Sequence, residues 1–109
     1  MVTETKIYVG LNDADRKKQK HATERYIQLL KHICNSYKVP FSFNLEQGGY
    51  IHENGEYTEE RTIVISMINV KKELINEIAK DLYVMFRQES VMVTEEPVRT
   101  YFISETLDI

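Results

Sequence analysis

The residues best suited to do chemistry lie where a helical pattern gives way to a strand pattern, at Arg87, Gln88, Glu89 and Ser90. Glu60, on an earlier strand, is a second carboxylate that could serve with Glu89 as acid and base, or share a cation. The simpler interpretation, which we favour, is that these side chains satisfy backbone groups left unpaired at the helix end. A glutamate there faces the negative end of the helix dipole, so Glu89 is expected to have an arginine or a ligand as its partner.

A second group of candidates is aromatic and lies on a predicted hairpin. Tyr50, His52 and Tyr57 could form a patch that stacks a ring or contacts a partner, although cross-strand packing pairs are the more common role. Ser90 could be a nucleophile only with His52 as its base, and no Gly-x-Ser-x-Gly elbow is present. One cysteine and three scattered histidines predict no metal site, and Gly48-Gly49 lacks the lysine and hydroxyl residue of a phosphate loop. No cofactor is predicted.

Two helices must position these residues, and both show an apolar stripe at helical spacing. The first is predicted over residues 16–36, with Asp13 or Asp15 as its cap. The second is predicted over residues 71–89, which places Glu89 at its end. The stripes are Ala22, Tyr26, Leu29, Leu30, Ile33 and Tyr37 on the first helix, and Leu74, Ile75, Ile78, Ala79, Leu82, Met85 and Phe86 on the second.

Four strands are predicted around the helices, over residues 6–11, 41–46, 62–68 and 91–94. Gly10 permits a positive φ or a close backbone approach, but plain turn chemistry is the favoured interpretation. Gly48-Gly49 is expected to break or bend the second strand. Asn54-Gly55 predicts a two-residue hairpin turn with positive φ at both positions, on a hairpin that could protrude from the sheet.

The last strand carries its own signals. Pro97 indicates that it lies at a sheet edge or contains a bulge. The residues 95–97 are expected to interrupt it, and residues 98–104 could continue it or form a fifth strand. Residues 105–109 are expected to be a loose tail.

The element order is β-α-β-β-α-β, which predicts an α+β, ferredoxin-like domain over residues 1–104, with an antiparallel sheet and both helices on one face. The other face would be open, and large apolar residues on it would favour a dimer through sheet faces. This fold hosts many functions and assigns none.

Composition excludes several classes of protein. Apolar residues make up 42% and charged residues 28% of the 109 residues, an ordinary globular balance. The net charge of −3 argues against nucleic-acid binding, and the basic residues 16–20 are interpreted as solvated first turns of a helix. No apolar run is long enough to cross a bilayer, and Met1 opens onto polar residues, so a soluble cytoplasmic protein is expected. Cys34 is predicted to be buried and unreactive.

Several segments together resemble the DUF3574 family, small bacterial proteins of unknown function. The resemblance rests on Ile7-Tyr8-Val9-Gly10-Leu11, on Gly49-Tyr50 with Gly55 and Glu60, and on Phe86-Arg87-Gln88-Glu89-Ser90-Val91-Met92, in which Gln88-Glu89-Ser90-Val91 is the most specific part. Tyr50 replaces the usual tryptophan, and Glu59-Glu60 replaces an Arg-Glu pair. The resemblance supplies no activity. It implies that Glu60, Gln88, Glu89 and Ser90 do more than local turn chemistry.

The sequence therefore supports a binding or interaction module, a homo-oligomer whose ligand or partner site is formed by the hairpin and the helix–strand corner. The candidate ligand-binding residues are Tyr50, His52, Glu60, Arg87, Gln88, Glu89 and Ser90. One alternative is a small enzyme that uses Glu89 or Glu60 as a general acid or base, with the substrate held between subunits. Another is an inhibitor of a larger protein machine.

Overall fold

The computed structural model describes residues 1–15, 17–51 and 53–104. The elements are β1 (Val2–Gly10), α1 (Thr23–Ser36), β2 (Ser42–Ile51), β3 (Tyr57–Ile68), α2 (Lys72–Met85) and β4 (Met92–Val98). This order, with one four-stranded antiparallel sheet, confirms the predicted ferredoxin-like α+β architecture. Within the described ranges, neither helix is long and apolar enough to cross a membrane.

The sheet has the order β2-β3-β1-β4, so that β1 and β3 are central. β4 lies at one edge, where Pro97 pairs with Thr3 and its missing N–H is tolerated. The edge prediction is confirmed, but the predicted interruption at residues 95–97 is wrong, because β4 runs without a break to Val98. Residues 99–104 are described and form no strand, so the possible fifth strand is wrong over that range.

The core lies between the helices and one face of the sheet. Alternate residues of the central strands point into it, including Ile7 and Ile63, and meet the fully buried Leu30 of α1 and Leu82 of α2. Burial of each such side chain contributes about 1.5–3 kcal/mol, which fixes the helices on this face. Cys34 is also buried, as predicted.

The opposite face of the sheet carries the other set of alternating residues. Tyr8 of β1 lies between Val64 of β3 and Met92 of β4, and the row that contains Lys6 is polar. Val2, Ile68 and Val98 lie on the same face at the other end of the sheet. The apolar residues of this face thus form two small groups with polar residues between them, and the dimer through sheet faces stays a prediction.

The first helix begins seven residues later than predicted, at Thr23. Residues 11–15 and 17–22, called here the loop of residues 11–22, contain no helix or strand; Lys17 N–H donates to the Asp13 carbonyl and Asp13 N–H donates to the Lys18 carbonyl, both at 2.8 Å. Neither Asp13 nor Asp15 caps the helix, since its N-cap is Ala22 with no side-chain hydrogen bond. The predicted cap and helix start are wrong, because Asp13 bonds to other residues of the loop and both Asp13 and Asp15 accept hydrogen bonds from Arg87.

The second helix ends at Met85, four residues before the predicted end. Arg87 has a φ of 53°, a left-handed conformation that terminates the helix. Glu89 therefore lies in the connection to β4 rather than in the last helical turn, and the expected unfavourable interaction with the helix dipole does not arise.

The β2–β3 hairpin forms an arm that extends past the end of β1. The pairing continues from Ser42 opposite Ser66 to Ile51 opposite Tyr57, so Gly48-Gly49 does not break β2. β1 pairs with β3 only as far as Thr62, which leaves the outer part of the arm protruding, and the molecule measures 65 × 27 × 25 Å.

The tip of the arm differs from the predicted two-residue turn. Five residues, 52–56, separate the last pair of the hairpin. Gly55 has a φ of 88°, while Asn54 is not among the positive-φ residues; its Oδ1 instead accepts a hydrogen bond from Glu56 N–H at 3.0 Å. His52 lies outside the described residues, and so does the predicted loose tail at 105–109.

Candidate functional site

Three segments that are far apart in sequence meet at one end of the sheet. They are the loop of residues 11–22, the corner of residues 86–91 between α2 and β4, and the base of the hairpin arm. Together they enclose a cavity of about 280 Å³. The lining residues are Asn12, Asp13, Ala14, Lys17, Tyr50, Glu60, Gln88, Glu89 and Ser90.

The structure brings together most of the candidate residues predicted from the sequence. Five of them line the cavity: Tyr50, Glu60, Gln88, Glu89 and Ser90. Glu60 and Glu89 therefore face one cavity, although 29 positions separate them in the chain. This is a statement about geometry, and a role for these residues in binding stays a prediction.

Glu60 is held in place by the end of β1. Its Oε2 accepts a hydrogen bond from the backbone N–H of Asn12 at 3.0 Å, and the Asn12 side-chain amide donates to the Glu59 carbonyl at 3.2 Å. The Glu60 carboxylate also lies directly over Gly10, where any Cβ would come within 2.6 Å of Glu60 Cδ. Gly10 thus permits the close approach of the Glu60 side chain, the less favoured of the two interpretations from the sequence, rather than serving as turn chemistry.

Glu89 is paired with Lys17 across the cavity mouth. Lys17 Nζ donates to Glu89 Oε1, and both side chains are more than half exposed. This hydrogen bond and the opposite charge lower the pKa of Glu89 and raise the pKa of Lys17. Because exposed ion pairs contribute little net stability, a ligand can replace either partner at low cost.

Sequence reasoning missed Lys17 because it assigned the basic residues 16–20 to a solvated helix. The sequence did predict a partner for Glu89, but it pointed to an arginine or a ligand, and the partner in the structure is Lys17. Lys17 lies 72 positions before Glu89, so only the tertiary fold brings the two together.

Arg87 stabilises the site without lining this cavity. Its Nε donates to Asp13 Oδ2 at 3.0 Å and its Nη2 donates to Asp15 Oδ2 at 2.7 Å, which raises the Arg87 pKa. The Ala14 N–H donates to the Arg87 carbonyl at 3.0 Å. Since Asp13 is buried, these bonds hold the loop of residues 11–22 against the α2–β4 corner. Arg87 itself borders a shallower neighbouring cavity.

Gln88 completes the attachment of the loop to the corner. Its side-chain amide donates to the Asn12 carbonyl at 2.7 Å and to the Phe86 carbonyl at 3.2 Å. One side chain therefore satisfies a backbone group from each segment, as the structural interpretation of this corner expected.

The predicted aromatic patch on the arm does not form as a unit. Tyr50 pairs with Thr58 and points to the cavity side, whereas Tyr57 pairs with Ile51 and points to the other side of the arm. The Tyr57 ring covers Gly49, where a Cβ would come within 2.6 Å of it. His52 lies outside the described residues, so the Ser90–His52 pairing remains untested.

A second cavity of about 300 Å³ lies on the other side of Glu60, lined in part by Gln47, Glu59 and Arg61. It shares Asn12, Lys17 and Glu60 with the first. Each volume is at the lower limit of small-molecule sites, about 300 Å³.

Comparison with known proteins gives structural neighbours only. No family model matches the chain, and no curated protein matches it. The resemblance to the DUF3574 family therefore stays a prediction.

Among solved structures, the chain is similar to a phage SAM lyase in complex with S-methyl-5'-thioadenosine. The two are 25% identical, with 87% of this chain and 80% of the lyase covered and a TM-score of 0.67. The apo state of a phage SAM lyase gives 26% identity, 86% and 78% coverage and a TM-score of 0.66.

Two more distant neighbours show the fold alone. GlnK of B. subtilis, in complex with ATP, is 15% identical, with 87% and 84% coverage and a TM-score of 0.52. CutA of Archaeoglobus fulgidus is 13% identical, with 91% and 87% coverage and a TM-score of 0.52. Ligand-binding α+β proteins are thus among the neighbours of this chain.

Proposed function

We propose that this protein binds S-adenosylmethionine (SAM) and cleaves it, releasing S-methyl-5'-thioadenosine. The observation that carries the proposal is the cavity where Glu60, Glu89, Lys17 and Tyr50 meet, on a chain 25% identical to a phage SAM lyase over 80% of that enzyme. This develops the enzyme alternative from the sequence and keeps the ligand site at the hairpin and the corner.

The charges of the cavity match the amino-acid end of SAM. That end carries a carboxylate and an ammonium group on one carbon atom. Lys17 and Glu89 form an exposed ion pair at the cavity mouth, and the substrate can replace each partner, its carboxylate on Lys17 and its ammonium on Glu89. Two charge-assisted hydrogen bonds then replace one.

Glu60 and Tyr50 suit the adenosyl end of the substrate. Glu60 Oε2 is held by the Asn12 amide, which presents the carboxylate to vicinal hydroxyl groups such as those of a ribose. Carboxylates bind ribose hydroxyls in this manner in dinucleotide-binding proteins. The half-exposed Tyr50 ring offers a face for the adenine.

Placing Glu60 on the ribose also agrees with the energetics of the reaction. The positive charge on the SAM sulfur disappears as the C–S bond breaks, so a carboxylate in contact with the sulfur would stabilise the substrate more than the transition state. Only interactions that strengthen in the transition state accelerate the reaction.

The bond that breaks joins the sulfur to Cγ of the methionine moiety. The electron pair of that bond stays on sulfur and gives neutral S-methyl-5'-thioadenosine. As the C–S bond breaks, either the substrate's own carboxylate oxygen forms a bond to Cγ, giving homoserine lactone, or a base removes a Cβ proton and the C–H electron pair forms the Cβ–Cγ double bond, giving vinylglycine. In the proposed complex Glu89 binds the substrate ammonium and Glu60 binds the ribose, so neither carboxylate is assigned to take the Cβ proton, and we favour the lactone.

The test is incubation of the purified protein with SAM and detection of S-methyl-5'-thioadenosine by liquid chromatography and mass spectrometry. The wild type should release it, and Glu60→Gln and Glu89→Gln should each release it about 10–100-fold more slowly, as expected when a charge-assisted bond is weakened. Glu73→Gln, at the exposed start of α2, is the matched control and should keep the wild-type rate.

Chromatography against standards identifies the second product, because homoserine lactone and vinylglycine have the same mass. If native mass spectrometry finds S-methyl-5'-thioadenosine bound but no SAM is consumed, the protein is a binding module and the lyase proposal is wrong. If the folded protein neither binds nor consumes these compounds, the assignment of the cavity to an adenosyl ligand is wrong as well.

A further inference from the structure

A second, apolar groove lies at the opposite end of the sheet from the candidate site. It has a volume of about 630 Å³ and lies beside the first residue of β1 and the last of β3. Its apolar lining includes Val2, Phe41, Met67, Ile68 and Val70. Nine residues of β1 separate the two ends, a distance of about 30 Å, so this groove is independent of the proposed lyase site.

The segment after β4 carries three large apolar side chains in succession and exposes all of them. Tyr101 is 75% exposed, Phe102 91% and Ile103 88%. Single exposed apolar side chains are ordinary, but adjacent ones next to an apolar groove indicate a surface that is covered by a partner.

Among the described residues, the segment after β4 forms a wall of the groove but does not fill it. Thr100 and Phe102 line the groove, whereas Tyr101, between them, and Ile103 do not. This alternation is that of an extended chain. The two side chains that would fill the groove therefore point away from it, and Phe102 at its rim stays almost fully exposed.

We infer that the groove is filled by the segment 101–103 of a second copy of this chain. The second copy has the same exposed segment and the same open groove, so a twofold axis between them satisfies both contacts at once. Such an isologous arrangement is closed and is the commonest symmetry of homo-oligomers. It is a dimer through the segment after β4, and it uses the end of the open sheet face that carries Val2 and Ile68.

The area available is enough for a stable dimer. Tyr101 and Ile103, which are 75% and 88% exposed, would together bury about 300 Å² or more in each copy. With the matching groove surface and two such contacts, the total reaches about 1,200–2,000 Å², the size of a standard specific interface.

The first test is disulfide crosslinking between two single-cysteine additions, Ser42→Cys in the groove and Ile103→Cys in the tail, carried on chains with tags of different length. The native Cys34 is buried and need not be removed. After mixing and mild oxidation, the mixed-length dimer should form. Asn76→Cys on the exposed surface of α2, in place of Ser42→Cys, is the control and should give little of it.

Two crosslinking results overturn the inference. In the double variant Ser42→Cys/Ile103→Cys, a bridge only within one chain would mean that the chain's own tail covers the groove. Equal yields from the groove and α2 cysteines would mean collisional crosslinking without a specific contact.

The second test is the molar mass in solution, measured by light scattering over a range of protein concentrations. The wild type should be a dimer, and Tyr101→Ser/Ile103→Ser should be a monomer with an unchanged circular dichroism spectrum, since both side chains are exposed in one copy. Tyr83→Ser, an exposed tyrosine on α2, should remain dimeric. A monomeric wild type, or an oligomer that keeps its mass when the tail is substituted, would refute the proposed contact.

Discussion

Replacing Gly10 with alanine tests how Glu60 is positioned. A Cβ at Gly10 would lie 2.6 Å from Glu60 Cδ and 2.8 Å from its Oε1, closer than such atoms approach. Neither atom belongs to the backbone, so the Glu60 side chain can rotate away. It then loses the 3.0 Å hydrogen bond from the Asn12 N–H.

The expected cost to stability is small because two terms oppose each other. Loss of one partly buried hydrogen bond costs about 0.5–1.5 kcal/mol. Restriction of the unfolded chain by alanine returns about 0.4–1 kcal/mol where the backbone is compatible, and Gly10 has no positive φ. The free energy of unfolding should therefore change by no more than about 1 kcal/mol.

The expected cost to the proposed activity is larger. If the displaced carboxylate no longer reaches the substrate, the lost charge-assisted hydrogen bond is worth about 1.5–3 kcal/mol. At about 1.4 kcal/mol for each factor of ten, kcat/KM should fall about 10–150-fold.

Gly48→Ala is the matched control. Gly48 lies opposite Glu60 on the neighbouring strand, and a Cβ there has no atom within 4 Å. Three measurements compare the variants: unfolding in urea, release of S-methyl-5'-thioadenosine, and hydrogen exchange at the Asn12 amide, which needs no ligand. Gly10→Ala should speed that exchange and Gly48→Ala should not. Equal exchange and equal activity in the two variants would refute the placement of Glu60 over Gly10.

Three further predictions follow from the same structure. The hydrogen bond from Lys17 lowers the pKa of Glu89. The pair therefore adds stability above the ordinary glutamate pKa of about 4.3, and that stability is lost as the pH falls through the lowered pKa. The substitution Lys17→Met should return the Glu89 pKa to its ordinary range in an NMR titration, and an unchanged pKa would contradict the pairing. Burial raises the pKa of Cys34 to about 11, so at pH 8 only about one thiol in a thousand is ionised. Ellman's reagent should therefore modify the native protein at least about 100-fold more slowly than the unfolded protein. Comparable rates would mean that the thiol is accessible. Lys38 follows α1 with a φ of 58°, a conformation that glycine adopts without strain. Lys38→Gly should therefore raise the free energy of unfolding, measured in urea, by about 0.5–1 kcal/mol. A loss of stability would show that the lysine side chain contributes more than the backbone strain costs.

Prediction from the sequence was most successful where a periodic pattern decides the structure. The stripe on α2 follows from side chains at helical spacing, and Ile75, Ile78 and Leu82 are buried as it requires. The edge position of β4 follows from Pro97, since proline cannot donate to a neighbouring strand. These signals are local, so they can be interpreted without knowledge of the rest of the chain.

Element boundaries were predicted less well, because tertiary contacts override local preference. Residues 16–22 have no strong helix breaker, yet the loop binds the α2–β4 corner instead of extending the helix. Arg87 ends α2 in a left-handed conformation that sequence disfavours in a non-glycine residue. Its bonds to Asp13 and Asp15 offset that strain.

The sequence by itself determined the order of the elements, the face that each buries and the set of polar residues worth testing. The tertiary structure alone decided which of those residues meet: Glu60 with Asn12 over Gly10, Glu89 with Lys17, and Arg87 with Asp13. The physical reason is that these partners lie 48 to 74 positions apart in the chain. Strand register and loop path bring them within hydrogen-bonding distance, and no local pattern in the sequence specifies either one.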